Sequence, residues 1–343
     1  MRAVYLQSHA QADSVVVGER PQAEPGPGQV RVRLAAAACN HVDLYMRDSG
    51  VGITHELPLI LGVDGAGTVD ALGAGVRGWQ PGQRVVIYPA EFCGACEFCR
   101  RGEQMLCLAC KINGEHIDGT FADSVCVAAH NLFAIPDSMS FETAATLPVA
   151  YLTAWRMVMT QAALRPSETV LVHGVGGGVA LASLQLARYA GCRVIATTSS
   201  AEKIARAREL GADRVIDYRS EDVVEAVMQA TDGRGVDAVV DNVGAQTWPI
   251  SLRAVRRGGR IVTCGATSGP NPKADLQRVF IRQIRISGST LGSQDEFRRL
   301  LLAVGEGRVA PVIDRVYPLA DARQALDRLT RAEQFGKLVL HID

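Results

Sequence analysis

The stretch that decides the fold is Thr169-Val170-Leu171-Val172-His173-Gly174-Val175-Gly176-Gly177-Gly178-Val179-Ala180. Its first five residues are typical of a short buried strand, and the residues after 178 are typical of a helix. The glycines between them let the backbone approach a pyrophosphate, and the helix start offers free N–H groups and partial positive charge. Val179 stands where the usual Gly-x-Gly-x-x-Gly pattern has its third glycine. The order strand, glycine turn, helix still predicts a dinucleotide-binding unit.

The same alternation of strand and helix continues on the C-terminal side of this turn. Helical stretches lie near residues 179–190, 201–210 and 221–230. Short apolar strands separated by helices predict a parallel sheet that is covered on both faces. We therefore expect an α/β fold in which residues 136–291 form a doubly wound, parallel-sheet Rossmann domain. Its strands are predicted at residues 169–173, 193–197, 214–217, 238–241, 260–264 and 284–287.

The segments on either side of this domain have a different pattern of apolar residues and turns. Residues 1–90 consist of short apolar runs, such as 30–34 and 84–87, that are broken by Gly/Pro turns, and they predict an all-β unit. The C-terminal tail predicts helices at 296–306 and 320–331 and a last strand at 337–341. We expect this tail to return to the first domain.

Composition excludes several classes of protein. The chain has 343 residues, of which 48% are hydrophobic and 21% charged, so it is long enough for about two domains. Its 36 basic and 36 acidic residues leave no net charge, which argues against a nucleic-acid partner. No apolar run reaches the roughly 18–20 residues of a membrane span, and no secretory signal is visible. We therefore expect a cytoplasmic protein without a membrane partner, whose nine cysteines lie in a reducing compartment.

Four cysteines form a compact motif, Cys93-x2-Cys96-x2-Cys99-x7-Cys107. Zinc prefers four tetrahedral ligands, and closely spaced Cys-x2-Cys turns supply them from a loop that is too small for a core. Four thiolates leave no open position, so we expect one structural Zn²⁺ in a lobe over residues 91–110. Disulfides or free thiols are the alternatives, and Cys110 is a competing ligand because it forms a further Cys-x2-Cys with Cys107.

The end of the second Rossmann strand bears on the choice between NADH and NADPH. An NADH site places an acidic residue about 20 residues after the glycine turn, where it accepts from the ribose 2′-hydroxyl. Here the segment is Ala196-Thr197-Thr198-Ser199-Ser200-Ala201-Glu202-Lys203, with no acid before the helix begins. Hydroxyls and the Lys203 ammonium instead suit the 2′-phosphate of NADPH. We expect NADPH as the cofactor, with NADH as the alternative.

Several motifs together give the chain a family resemblance. They are the four-cysteine lobe, the glycine turn and the segments 61–69, 81–85, 118–122, 210–213 and 335–340. The chain resembles, over essentially its whole length, the medium-chain dehydrogenases/reductases, the superfamily of zinc-type alcohol dehydrogenases and quinone oxidoreductases. The resemblance implies a mostly-β GroES-like catalytic domain, here residues 1–135 and 292–343, in addition to the Rossmann domain. It also implies hydride transfer to or from a small-molecule substrate, and homodimers or homotetramers.

The chain departs from the alcohol dehydrogenase pattern at the catalytic zinc. Family members with that zinc hold it with a Cys, a His in a Gly-His-Glu motif and a third ligand that is usually Cys. Cys39 occupies the first place, but Val63 stands in the second and Val149 in the third. One thiolate does not hold a zinc ion that needs three protein ligands. A displaced site made of Cys39, His41 and Asp64 is the alternative.

The quinone oxidoreductase branch is the closer match. Segments 39–43 and 146–155 resemble that branch, which has no catalytic zinc and uses NADPH. In it a Lys and a Tyr hold the 2′-phosphate, and Lys203 and Tyr218 match them. Most of the branch lacks the four-cysteine lobe, so the chain resembles a subgroup that keeps the structural zinc without the catalytic one.

The motifs and the resemblance place the candidate site residues. His41 stands where alcohol dehydrogenases keep a hydroxyl for proton relay, so it is the first catalytic candidate. Asn40, which either braces the loop or contacts substrate, and Tyr45 are the further candidates. The candidate metal ligands are Cys93, Cys96, Cys99 and Cys107. The candidate cofactor-binding residues are Gly174, Val175, Gly176, Gly177, Gly178, Val179, Ser199, Lys203, Tyr218, Asn242, Gly265, Leu291 and Gly292.

The valines at two zinc positions point to a type of reaction. Without zinc to stabilise an alkoxide, interconversion of alcohol and ketone is difficult. Hydride addition to a conjugated enone or quinone is easier, because the charge spreads over an enolate that hydrogen-bond donors can hold. We therefore expect an NADPH-dependent reductase of quinones or activated C=C bonds. The alternatives are a zinc-dependent alcohol dehydrogenase with a displaced metal site and an NADPH-binding protein without catalytic activity.

Overall fold

The chain forms two compact units in the computed structural model, which describes residues 1–9 and 14–343. The first unit comprises Met1–Ala150, Ser293–Gly305 and Ile313–Asp343. The second comprises Tyr151–Gly292 and Glu306–Val312. The mixed α/β fold, with one sheet-rich unit and one parallel-sheet unit, is the fold class predicted from sequence.

The first unit is built around a seven-stranded sheet. Up to Ala150 its strands are β1 (Arg2–Leu6), β2 (Val15–Glu19), β3 (Gln29–Ala38), β4 (Leu59–Ile60), β5 (Asp64–Leu72), β6 (Arg84–Ile87), β7 (Ala90–Glu91), β8 (Lys111–Ile112), β9 (Ser124–Ala128) and β10 (Leu132–Ala134). β3 is the longest and pairs antiparallel with both β5 and β9. β1 joins β2 and β4 in a three-stranded sheet, and β7 pairs with β8.

The described residues up to Ala150 also form three short α-helices, of which the first interrupts residues 1–90, the segment predicted to be all β. They are α1 (His41–Asp48), α2 (Glu97–Arg100) and α3 (Phe141–Ala145). α1 forms because the Asn40 backbone N–H donates to the Asp43 carboxylate at 2.7 Å across the first turn, and because Leu44 and Met46 are buried. α3 packs on β3 and β5, so the first unit extends to Ala150 rather than ending at residue 135.

The second unit is the doubly wound sheet. Its parallel strands are β11 (Thr169–Val172), β12 (Arg193–Thr198), β13 (Arg214–Asp217), β14 (Val236–Asp241), β15 (Val255–Thr263) and β16 (Arg285–Gly288), in the order β13-β12-β11-β14-β15-β16. The strand order reverses between β11 and β14, where Val172 pairs with Ala196 on one side and Val240 on the other. This reversal is the switch point at which such sheets bind ligands.

Helices of the second unit agree with the predicted pattern in part. They are α4 (Leu152–Trp155), α5 (Gly178–Tyr189), α6 (Ala201–Glu209), α7 (Val223–Ala230), α8 (Trp248–Ala254) and α9 (Leu276–Arg282). α8 and α9 were not predicted, because helices of seven residues carry little periodicity.

The tail of the chain returns to the first unit. It forms α10 (Gln294–Gly305), β17 (Ile313–Pro318), α11 (Ala322–Thr330) and β18 (Lys337–His341). β18 pairs with β17 and, antiparallel, with β3, where Val339 lies opposite Ala38. The end of the chain is therefore part of the sheet that carries Cys39 and α1. In the described part of the chain, no helix is long and apolar enough to cross a membrane.

Candidate functional site

The parallel sheet brings the predicted cofactor residues to one edge. The glycine turn follows β11, Ser199 follows β12 and Tyr218 follows β13. Asn242 follows β14, Gly265 comes two residues after β15, and Leu291 and Gly292 follow β16. Because all six strands are parallel, these residues lie at the carboxyl edge of the sheet.

The glycine turn has the backbone that a phosphate needs. Gly174 and Gly176 have φ angles of 70° and 148°, a region that other residues adopt only with strain. Gly177 is the N-cap of α5, so the first N–H groups of a twelve-residue helix have no intrahelical partner. Val175 is buried, whereas Gly178 and Val179 are half-buried in the first turn. The turn fits a dinucleotide pyrophosphate.

A cavity of about 370 Å³ lies beside this turn within the second unit. Of the predicted cofactor residues, Gly174 and Tyr218 line it, and Ser199 and Lys203 do not. The remaining lining residues are His173, Thr197, Glu221, Asp222, Val223, Val224, Val243, Gln246, Thr247, Ile250 and Arg253. Its position at the carboxyl ends of β11, β12 and β13 suits the adenosine half of a dinucleotide.

A buried hydrogen-bond chain that sequence reasoning missed holds the wall of this cavity. The Ser251 hydroxyl donates to Asp241 Oδ2 at 2.7 Å, and His173 Nε2 lies 3.1 Å from the same hydroxyl. Asp241 Oδ1 accepts from the backbone of Gly244 at 3.0 Å and from the Thr247 hydroxyl at 2.8 Å. Burial lowers the pKa of His173. The sequence offered one sign of this chain of hydrogen bonds: His173 and Asp241 are polar residues at the ends of two apolar strands.

The segment between β12 and α6 contains no acidic residue, as the sequence shows. Ser200 is the N-cap and its hydroxyl accepts from the Lys203 backbone N–H at 3.2 Å. Lys203 is half-buried in the first turn of α6. Glu202, the next acid along the chain, is exposed and lies 3.8 Å from Arg206. The end of β12 itself carries no acid, but Asp217 pairs with Thr198 beside it, and Glu221 and Asp222 line the cavity.

The residues after β14, β15 and β16 combine one unpartnered polar atom with close-packed backbone. Asn242 Oδ1 is buried without a hydrogen-bond partner among the described residues, an acceptor that a bound group can satisfy. A Cβ at Gly265 would come within 2.9 Å of the Asn242 carbonyl oxygen, so only glycine fits there. Leu291 is buried with a φ of 45°, next to the buried Gly292.

The four predicted zinc ligands come together. The sulfur atoms of Cys93, Cys96, Cys99 and Cys107 lie within 4.8 Å of one another, and Cys93 Sγ is 4.0 Å from Cys99 Sγ and 3.6 Å from Cys107 Sγ. Tetrahedral zinc with bonds of about 2.3 Å needs sulfurs about 3.8 Å apart. All nine cysteines are free thiols, and in the described residues no other group of three or more metal-ligating side chains meets the same distance criterion. Cys110 is outside the cluster.

Backbone N–H groups prepare two of these thiols for a cation. The N–H of Cys99 is the main cause that lowers the pKa of Cys96 to about 6, and the N–H of Ala95 chiefly lowers the pKa of Cys93. Burial raises the pKa of Cys99 to about 12, so this thiol holds its proton at neutral pH. A bound zinc ion would displace that proton. The donor set therefore fits a structural zinc ion, which would tie the lobe together.

A buried ion-pair network lies at the start of α1. Lys337 Nζ donates to Cys39 O at 2.7 Å, Asn40 Oδ1 at 2.5 Å and Asp64 Oδ2 at 3.1 Å. Asn40 Nδ2 also donates to Asp64 Oδ2 at 2.9 Å, and the Val149 N–H donates to Asp64 Oδ1 at 2.8 Å. Asp64 is fully buried and Lys337 is 3% exposed. Lys337 was missed, although a lysine that opens an otherwise apolar strand is a signal of a buried partner.

The structure places two of the candidate catalytic residues, Asn40 within this network and Tyr45 outside it. Asn40 is buried and its amide is used by Asp64, Lys337 and the carbonyl of Ala38, so it positions α1 rather than contacting substrate. The Tyr45 hydroxyl donates to Val51 O and thereby closes the loop after α1.

His41, the first residue of α1, keeps solvent access. Surrounding protein atoms and the Lys337 ammonium lower the pKa of its imidazole below 6.5. A neutral imidazole at pH 7 is a competent hydrogen-bond donor.

The residues at the expected catalytic-zinc positions do not fit a zinc ion. Val63 is buried and Val149 half-buried, and neither has a ligand atom in its side chain. Burial raises the pKa of the Cys39 thiol, which favours the neutral form. Both carboxylate oxygens of Asp64 already accept hydrogen bonds. A displaced site of Cys39, His41 and Asp64 would have to break these bonds first.

Comparisons with known proteins agree with this architecture. Residues 26–137 match the model of the alcohol dehydrogenase GroES-like domain, and residues 178–305 match that of zinc-binding dehydrogenases. An alcohol dehydrogenase of Geobacillus stearothermophilus is 30% identical over 346 residues, covering 100% of both chains. A quinone oxidoreductase of Pseudomonas aeruginosa is 32% identical over 327 residues, covering 93% of this chain and 92% of that one.

Solved structures give the same result. The crystal structure of an NAD-dependent alcohol dehydrogenase superposes with a TM-score of 0.95 at 42% identity, covering 100% of both chains. A quinone oxidoreductase of Pseudomonas syringae superposes with a TM-score of 0.85 at 30% identity, covering 99% of both chains. Full-length identity and the two domain matches confirm the predicted resemblance: the chain belongs to the medium-chain dehydrogenase/reductase superfamily of oxidoreductases, which contains the zinc-type alcohol dehydrogenases and the quinone oxidoreductases.

Proposed function

We propose that this protein is an NADPH-dependent oxidoreductase that reduces quinones or activated C=C bonds without a catalytic zinc ion. The observation that carries the proposal is the Lys337–Asp64–Asn40 network, together with valines at two zinc-ligand positions. It leaves a hydrogen-bonding side chain, His41, at the start of α1 and no set of metal ligands. Bound NADPH would supply the hydride.

The chemistry asked of the protein side chains is then modest. Hydride addition to the β-carbon of an enone, or to a quinone, produces an enolate or phenolate oxygen whose charge is already delocalised. A positioned donor can stabilise that oxygen and return one proton. His41 is the donor that we assign, and Asn40, Asp43 and Lys337 hold the helix on which it stands.

A screen of substrates with a metal analysis on the same sample tests this function. We expect NADPH oxidation with quinones, enones or enoyl thioesters, and about one zinc ion per chain that stays bound through dialysis. Oxidation of simple alcohols by a protein with two zinc ions per chain would instead support a displaced catalytic metal site. The relatives named alcohol dehydrogenases favour this alternative. NADPH binding without turnover on the whole panel would support a non-catalytic role.

His41→Gln is expected to lower kcat about a hundredfold or more, since general acid catalysis contributes about 10²–10⁴-fold. If the imidazolium donates the proton, wild-type kcat falls as the pH rises through the folded-state pKa of His41, which lies below 6.5. That acidic limb should be missing in the variant, while NADPH affinity stays unchanged. His341→Gln, an exposed histidine, is the control. Equal kcat in His41→Gln would remove His41 from the mechanism.

Lys203→Ala is expected to weaken NADPH about ten- to a hundredfold relative to NADH, because a charge-assisted bond to the 2′-phosphate contributes about 1.5–3 kcal/mol. The measurement is the ratio of dissociation constants for the two cofactors. Glu202→Gln, on the same helix turn, is the control. Some relatives are named NAD-dependent, and an unchanged ratio would put this chain with them.

We also propose that the second unit forms a homodimer through β16. This strand is one edge of the six-stranded sheet, and an unpaired edge offers free N–H and C=O groups. Ile286 in this strand is exposed, and so are Leu276, Phe280 and Ile281 on α9, the helix that precedes it in the chain. Ile286→Lys is expected to halve the molar mass measured by light scattering, whereas Leu302→Lys on α10 should not. Unchanged mass in the first variant would exclude this interface.

A further inference from the structure

Two histidines outside the site described above share one contact. His9 Nε2 lies 2.9 Å from His55 Nε2, and the two rings are nearly perpendicular, with centroids 5.0 Å apart. His9 Nδ1 is 2.8 Å from Met46 O, and His55 Nδ1 is 2.8 Å from Ile53 O. Both histidines are half-buried in the first unit.

The positions of the ring hydrogens decide whether the contact between His9 and His55 is favourable. A carbonyl oxygen only accepts, so each Nδ1 must carry a hydrogen. In the neutral rings both Nε2 atoms then carry a lone pair, and two lone pairs at 2.9 Å repel each other. A cation placed where both lone pairs reach it removes the repulsion.

The tautomers are those of metal ligands. A histidine that ligates a metal through one nitrogen almost always donates its other ring N–H to a carboxylate, a carbonyl or water. Two ligands with metal–nitrogen bonds of about 2.0–2.1 Å stand about 2.9 Å apart at a right angle, as in octahedral coordination, and about 3.3 Å apart at the tetrahedral angle. The observed separation of 2.9 Å allows both Nε2 atoms to reach the same ion.

The surrounding backbone is shaped for the pair. Gly50 has a φ of 55°, and a Cβ there would come within 2.8 Å of His55 Cε1 and 3.0 Å of His9 Cε1. Met46 lies in the last turn of α1, so its carbonyl has no partner within the helix and is free to accept from His9. Two segments far apart in sequence thus meet at a glycine that leaves room for both rings.

Open coordination positions are available beside the pair. His55 lines a cavity of about 750 Å³ in the first unit, together with Glu56 and His116. His116 Nδ1 accepts from the Ile112 N–H at 3.2 Å, so its neutral ring carries hydrogen on Nε2 and can bond to a water ligand. Among the described residues no third metal-ligating side chain joins His9 and His55 in a cluster. Water or a small anion would complete the coordination.

We propose that His9 and His55 bind one divalent transition-metal ion, of the zinc or nickel class, through their Nε2 atoms at a site separate from the four-cysteine lobe. Imidazole nitrogen suits these ions, and two protein ligands with exchangeable water make the site weaker than the closed thiolate site. Binding would tie the N-terminal segment at His9 to the loop that follows α1.

The test is a titration of the purified full chain, with its structural site loaded, with Zn²⁺ and separately with Ni²⁺. We expect one further ion per chain with a dissociation constant in the micromolar range, weakened at least tenfold in His55→Asn and in His9→Asn. His341→Asn, an exposed histidine elsewhere, should bind as the wild type does. Unchanged melting temperatures without added metal show that the variants fold.

Two results would overturn the proposal. One is an additional ion that binds equally well to wild type and His55→Asn. The other is no additional binding, with ¹⁵N spectra that show a proton shared between the two Nε2 atoms; the cation would then be a proton. Gly50→Ala offers a second route, since it displaces both rings and should weaken the metal as much as loss of one ligand.

Discussion

Lys337→Met is expected to lower the free energy of unfolding by about 3–5 kcal/mol, the cost of breaking a buried ion pair from one side. The ammonium of Lys337 satisfies Cys39 O, Asn40 Oδ1 and Asp64 Oδ2, and none of these acceptors can turn to solvent because all three residues are buried. Without the lysine, Asp64 is a buried carboxylate with no counter-ion. Urea unfolding of the full chain measures the loss.

Two controls separate the network from a general effect of losing a lysine. Lys273→Met, at an exposed position, should change stability by less than about 0.5 kcal/mol. The double variant Lys337→Met/Asp64→Asn removes both charges and should recover part of the loss, since it no longer buries an unpaired carboxylate. A Lys337→Met protein within 1 kcal/mol of wild type, roughly the size of an ordinary hydrogen bond, would show that the network does not stabilise the fold.

Cys96→Ala is expected to reduce the zinc content from about one ion per chain to nearly none. Structural zinc sites can contribute on the order of 10 kcal/mol to folding in small domains, and residues 91–110 contain little else that could hold the loop. Within the lobe, α2 spans four residues and buries none of them. Atomic emission on dialysed protein gives the zinc content, and thermal unfolding gives the loss of stability.

Cys110→Ala is the matched control for the zinc lobe. Cys110 follows Cys107 at the same Cys-x2-Cys spacing but lies outside the cluster of four sulfurs. Its zinc content should equal that of wild type. Zinc retained in Cys96→Ala but lost in Cys110→Ala would mean that the ligand set is wrong.

Local patterns carried the prediction of the fold. The strands of the Rossmann sheet were found to within a few residues because apolar runs and glycine turns depend on neighbours in sequence. α1 was missed, because eight residues inside a β-rich segment carry a weak period and its capping depends on Asn40 and Asp43 meeting in space. β15 begins five residues before the predicted strand. Its first five residues include two arginines and two glycines, so they do not form an apolar run.

Long-range contacts decided the roles of individual residues. Sequence reasoning left Asn40 either bracing the loop or contacting substrate, and in the structure its side-chain oxygen accepts from Lys337, 297 positions away. The segment around Lys337 was recognised as a family motif without a role for its lysine, because nothing in a β-strand pattern tells which buried carboxylate the ammonium will face.

The amino-acid sequence alone determined the superfamily, the two-part α/β architecture, the four-cysteine ligand set and the glycine turn, because each is encoded by residues a short distance apart in the chain. Only the tertiary structure decided that Lys337, Asn40 and Asp64 form one buried network, that Tyr45 closes a loop, and that His9 meets His55. Hydrogen bonds and ion pairs act over a few ångströms, so they appear only after folding has brought distant segments together.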